Sequence, residues 1–170
     1  MTSASREMFR RNLIGLLVVM AALATLYVTK YHDNWSVYRN SMVPEATGAP
    51  GETVTADDVT WGVEKIRYVR ALPGYSAGHP LPEGTGAAIV TVKRQGAPTD
   101  TGCTGVLTDG VRRWKAEGVG FSAAPLPDGT TDNCTKPGPV QFTFILPRDA
   151  SPTAVDILDY RGRITVRLPL

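Results

Sequence analysis

Apolar and polar residues are patterned in two different ways along this chain. Near the start, LIGLLVVMAALATLYV (13–28) has no charged side chain and one hydroxyl, Thr25. With Asn12 and Thr29 it makes 18 uncharged residues between Arg11 and Lys30. As a helix this stretch reaches about 27 Å, close to the hydrocarbon thickness of a bilayer. A core helix of equal length would show a polar face, and none is visible. The pattern predicts a single transmembrane helix. Tyr27, Tyr31, Trp35 and Tyr38 follow at steps of four, four and three, along one face of a continuing helix. Amphipathic rings favour the headgroup level, so these four are the expected membrane-interface residues. The same stripe would also suit packing on a neighbouring transmembrane helix.

Past Gly51 the period becomes two. Val140, Phe142, Phe144 and Leu146 alternate with Gln141, Thr143 and Ile145, which predicts a half-buried strand. Ile164, Val166, Leu168 and Leu170 repeat the pattern, and Val155 and Ile157 flank Asp156 ahead of an Arg161-Gly162 turn. Val106-Leu107-Thr108 runs through Asp109-Gly110 into Val111-Arg112-Arg113-Trp114, a tight-hairpin signal. Ala88, Val90 and Val92 form another strand. Val59, Trp61 and Val63 begin one that changes phase before Ile66 and Tyr68, as a bulge near Gly62 or Glu64 would cause; Val59, Val63 and Ile66 also fit a helical spacing. About seven short strands without a sustained helix predict an antiparallel β-sandwich, with Trp61 and Trp114 as core fillers.

The expected organisation is a cytoplasmic tail (1–11), a transmembrane and juxtamembrane helix (12–39), a linker (40–51) and an extracytoplasmic sandwich (52–170). The linker rests on two prolines and two glycines in NSMVPEATGAPG. Orientation follows from the flanks: Arg6, Arg10 and Arg11 against Glu7 before the span, Lys30 and Arg39 against Asp33 and Glu45 after it. Positive residues stay on the cytoplasmic side, so the larger part is expected outside. Ala22-Leu23-Ala24 also has the form of a signal-peptidase site, and Arg10-Arg11-Asn12-Leu13-Ile14 that of a twin-arginine export signal; both alternatives place the domain on the same side.

Charge narrows the partners. The chain carries 18 Lys plus Arg and 16 Asp plus Glu, net +2, but residues 52–170 hold 13 of each. A neutral domain has no basic stripe to displace counterions from phosphates, which argues against nucleic acid.

Cys103 and Cys134, 31 positions apart, are the only cysteines. With no CxxC and only His32 and His79 they supply no four-ligand zinc set. Outside the cytoplasm such a pair oxidises, so a disulfide is expected. Closing that loop is worth about 3.7 kcal/mol in the chain-entropy description. Two unpaired buried thiols are the competing reading.

Other motifs are weaker. Gly74-Tyr75-Ser76-Ala77-Gly78 matches the G-x-S-x-G elbow of α/β-hydrolases beside His79, but Pro80 and Pro82 forbid the helix that should follow it. Asp128-Gly129-Thr130-Thr131-Asp132-Asn133 offers oxygen ligands without the spacing or distal glutamate of an EF-hand, and is expected as a solvated turn. His32 reads as interfacial. No catalytic, cofactor or metal residue is expected.

The segments GTGAAIVTVKRQ, TGVLTDGVRRWKAEG, KPGPVQFTFILPRDASPTAVDIL and RGRITVRLPL, in that order, resemble an uncharacterised family of immunoglobulin-like, telokin-like β-sandwiches. That family is found on anchored and secreted bacterial proteins, actinobacterial ones especially. The resemblance spans 54–170 and implies an immunoglobulin-like sandwich; it implies no general activity and no site residue. The chain departs from it in lacking a lipobox cysteine and in carrying a transmembrane helix instead. The expected function is a membrane-anchored, non-enzymatic module making protein contacts in the cell envelope. A tethered small-molecule, lipid or glycan binder is the alternative, and a Ser76 hydrolase the remote one.

Overall fold

The computed structural model describes residues 3–72, 81–118 and 123–170. The chain forms two compact units, Met1–Arg39 and Asn40–Leu170.

The first unit is helical. Helix α1 (Ser3–Leu26) passes through a π-helical turn (Tyr27–Tyr31) into α2 (His32–Met42), whose last residues belong to the second unit. The two hydroxyls at its apolar end are satisfied within the helix: Thr25 Oγ1 donates to Ala21 O at 2.9 Å and Thr29 Oγ1 to Thr25 O at 2.8 Å. In hydrocarbon that internal bonding is the only kind available. The π turn adds a residue to one helical turn and shifts the phase of everything after it.

The second unit is a two-layer β-sandwich. One sheet has the order β1 (Ala46–Thr47), β9 (Ile164–Pro169), β8 (Ala154–Leu158), β5 (Thr104–Thr108), β6 (Arg113–Lys115). The other runs β2 (Val54–Ala56), β3 (Val59–Val69), β4 (Thr85–Gln95), β7 (Val140–Pro147). Between these strands all pairings are antiparallel except β1 with β9. Inward side chains of the two sheets form the main core, including Trp61, Val90, Phe142 and Phe144 from one sheet and Leu107, Val155, Val166 and Leu168 from the other. Gly105 of one sheet faces Phe142 of the other closely enough that a Cβ there would lie 2.8 Å from the ring.

The β3 phase change is a bulge. Register shifts between Val63 and Lys65, leaving Glu64 unopposed, so Val63 and Ile66 both pack against the core in an unbroken strand. The helical alternative for this segment is therefore set aside.

Three expectations are corrected, and one turn carries no mark in the sequence. Strand β7 is buried on both faces, with Gln141 and Thr143 at 5% and 3% exposure. The chain after residue 122 covers its outer side: Ala124 N–H donates to Thr143 Oγ1 at 3.0 Å, and Gln141 Nε2 to Pro125 O at 3.1 Å. Polar residues in a strand's outward phase here bind a covering loop, which also shields a sheet edge. Within 40–51, expected as linker, Ala46–Thr47 pairs with Val166 and Arg167. A hairpin unmarked by glycine joins β2 to β3, with Asp57 (φ 49) and Asp58 (φ 59) both left-handed. The Asp-Gly hairpin exists, but its turn is four residues long and Val111 lies in it, 92% exposed. Asp109 Oδ1 accepts the Val111 and Arg112 amides at 2.9 and 2.6 Å, holding both out of the ladder.

Candidate anchoring helix and the stapled end of the sandwich

The helix is apolar all round. Leu13, Leu17, Val18, Leu23 and Leu26 are each exposed by 45–63%, and none of the span is buried within the chain. Among the described residues one helix, Met8–Met42, is long and apolar enough to cross a membrane. Chemically its uncharged stretch, residues 12–29, is a bilayer-length rod with no polar face to give to water. Tyr27, Tyr31, Trp35 and Tyr38 all lie on it and are exposed. They associate as two ring pairs, Tyr27–Tyr31 stacked at 5.8 Å and Trp35–Tyr38 tilted at 5.7 Å. His32 sits among them, exposed.

Cys103 and Cys134 are joined in a disulfide with Cα atoms 5.3 Å apart. The bridge ties the residue ahead of β5 to the loop leading into β7, and hydrogen bonds to that loop reinforce the tie. Thr99 N–H donates to Cys134 O at 3.0 Å. Arg94, at the end of β4, donates to Lys136 O at 3.0 Å and also to Ala97 O. The Arg94 guanidinium lies 5.8 Å from the ring centroid of Trp61, its cross-strand partner. Both side chains are buried, at 6% and 4% exposure, and Arg94 Nε and Trp61 Nε1 lack a hydrogen-bond partner among the described residues. Burial pushes the guanidinium pKa down. Beside this staple is a cleft of about 200 Å³ whose walls include Val59, Trp61, Ile157 and the disulfide.

A second polar centre lies on β8. Asp156 is fully buried and forked by Arg167, with Arg113 Nη2 at 3.5 Å. The hydrogen bond and charge of Asp156 raise the Arg167 pKa against the opposing effect of desolvation.

The remaining motifs fall as follows. Ser76 and His79 lie outside the described residues. In the Asp128–Asn133 segment, side chains bond one another and their own backbone: Asn133 Nδ2 donates to Asp132 Oδ1 at 2.9 Å, and Asn133 Oδ1 accepts from Thr135 N at 3.0 Å. Among the described residues no three His, Cys, Asp or Glu side chains are grouped to hold a metal ion. Sequence reasoning missed Arg94 and Asp156. Arg94 carried a usable signal, since it continues the inward phase of Ala88, Val90 and Val92. Asp156 carried none, because an acid between two core residues is what a solvent-facing position also shows.

No family model and no curated protein matches the chain. Among solved structures it is similar to an uncharacterized β-sandwich protein from Clostridium difficile 630. The two are 12% identical, with 74% of this chain and 93% of that one covered and a TM-score of 0.36.

Proposed function

We propose that this chain is a single-pass, membrane-anchored module whose sandwich stands in the extracytoplasmic space and makes protein contacts in the cell envelope, without enzymatic activity. The observation that carries this reading is the presence, on one chain, of an exposed bilayer-length apolar helix and a sandwich closed by a disulfide. Exposed apolar surface of that extent demands lipid or a partner, and a bridge persists in an oxidising compartment. The Arg6, Arg10 and Arg11 flank supports a cytoplasmic N-terminus. Tyr27, Tyr31, Trp35 and Tyr38 suit the outer headgroup level, where paired rings would fix helix depth.

The strand order supports an immunoglobulin-like arrangement of the bacterial type that the sequence resembles. β4 and β7 are neighbours in one sheet, and β9, β8, β5 and β6 follow one another in the other, with a short first strand running parallel to the last. The disulfide joins two loop segments at one end and not the centres of facing strands.

Crosslinking in the native membrane before detergent solubilisation tests the contact role. The expected result is one reproducible partner band containing this chain. Recovery solely as an uncrosslinked monomer under efficient crosslinking contradicts it.

A further inference from the structure

We infer that the cleft beside the Cys103–Cys134 bridge binds a small, neutral, polyhydroxylated molecule of about one sugar ring. This goes beyond the contact role and does not depend on it. At about 200 Å³ the cleft is smaller than the roughly 300–1,000 Å³ of sites for drug-sized ligands. Its apolar surfaces, Val59, Trp61, Ile157 and the two sulfurs, can cover the C–H face of a small ring.

Trp61 supplies the polar demand. Its indole N–H is buried in a residue lining the cleft and has no acceptor among the described residues. Donors so placed are nearly always satisfied in native proteins, so a ligand acceptor here gains what folding alone leaves unmade. The hydroxyl-bearing residues Thr101 and Thr165 line the same cleft and are able to donate or accept.

Charge at the rim selects a neutral occupant. Asp57 comes from the β2–β3 turn, whereas Asp159 and Arg163 come from the β8–β9 turn and close on each other at 2.8 Å. A cation drawn to Asp57 is opposed by Arg163, and an anion drawn to Arg163 meets two carboxylates. Hydroxyl groups use both signs at once, donating to the carboxylate and accepting from the guanidinium.

The test uses the full chain in a sugar-free detergent, with ¹⁵N-labelled tryptophan reporting three indole N–H groups, Trp35, Trp61 and Trp114. The Trp61 resonance is assigned with Trp61→Phe. Methyl β-D-glucopyranoside and methyl β-D-galactopyranoside are titrated into the millimolar range, with inorganic phosphate and acetate in parallel. The expected result is a saturable shift of the Trp61 resonance alone, with at least one glycoside. Asp57→Asn should weaken that response about tenfold or more, as loss of a charge-assisted hydrogen bond implies. Asn tolerates the left-handed backbone at position 57, so this variant keeps its turn. A Trp61 resonance that stays still in the folded protein overturns the inference. So does one that moves equally with phosphate or acetate, or in step with Trp35 and Trp114, or a response unchanged by Asp57→Asn.

Discussion

Asp156 and Arg167 oppose each other directly across β8 and β9, joined by Nε to Oδ1 at 2.6 Å and Nη2 to Oδ2 at 2.8 Å. The carboxylate has no exposed surface, while the guanidinium side chain keeps 30% of its own. A planar fork satisfies both carboxylate oxygens at once, and the arrangement leaves Arg113 as a second, longer contact at 3.5 Å. Removing Arg167 leaves the buried carboxylate with only the longer Arg113 contact.

Arg167→Ala should therefore cost about 3 kcal/mol, the low end for breaking a buried pair, because the guanidinium is partly solvated. Arg167→Lys should recover only part of this, since an ammonium cannot fork. Replacing both residues with leucine should cost less than Arg167→Ala alone. Urea midpoints of the detergent-solubilised chain compare the variants.

The disulfide gives a second prediction. Cys103→Ser/Cys134→Ser should destabilise the sandwich by about 2–4 kcal/mol, since the open loop regains entropy when unfolded. Chemical unfolding with and without reductant checks this: the reductant should lower the wild-type midpoint and leave the double variant unmoved.

Packing between the two sheets gives a third. In Gly105→Ala the new methyl meets the Phe142 ring at 2.8–3.1 Å, in a core where Phe142 and Phe144 already lie 6.3 Å apart. Overpacking of this kind costs about 1–3 kcal/mol. Thermal unfolding should report a lowered midpoint, and unchanged stability would mean that the ring moves freely.

The acid limb of the stability profile gives a fourth. Amide hydrogen bonds from Arg112 and then Val111 hold Asp109 down to about 2. Asp159 is also lowered: desolvation opposes the shift, but the Arg163 amide, its guanidinium and the Arg161 amide outweigh it. A carboxylate with a depressed folded pKa stabilises above its unfolded value, near 4, and that contribution is lost as pH falls through the folded value. Stability should decline between about pH 4 and pH 2. Asp109→Asn keeps the turn acceptor and should flatten part of that decline, as measured by unfolding midpoints across the range.

Much of the sandwich was legible because alternation is a direct record of which side chain faces inward. Val140 to Leu146 and Ile164 to Leu168 behave this way, and the Glu64 bulge was visible as a break in phase. Other features leave no such record. The Asp57-Asp58 hairpin lacks the glycine that usually marks two left-handed residues in succession. Gln141 and Thr143 look solvent-facing until a distant loop covers them, and burial by a segment remote in sequence has no local period. Val111 reads as strand because its apolarity fits, whereas the Asp109 carboxylate decides the turn. The cleft beside the disulfide needs Asp57, Trp61, Cys134 and Arg163 together, a set that only the closure of the two sheets assembles.

The central claim is that the helix crosses the membrane and delivers the sandwich into an oxidising space. Intact spheroplasts treated with a membrane-impermeant, mass-tagged maleimide test it most directly. The account predicts no tag before treatment and two tags per chain after an impermeant reductant. Two tags on unreduced chain, or tagging only once the membrane is permeabilised, would contradict it.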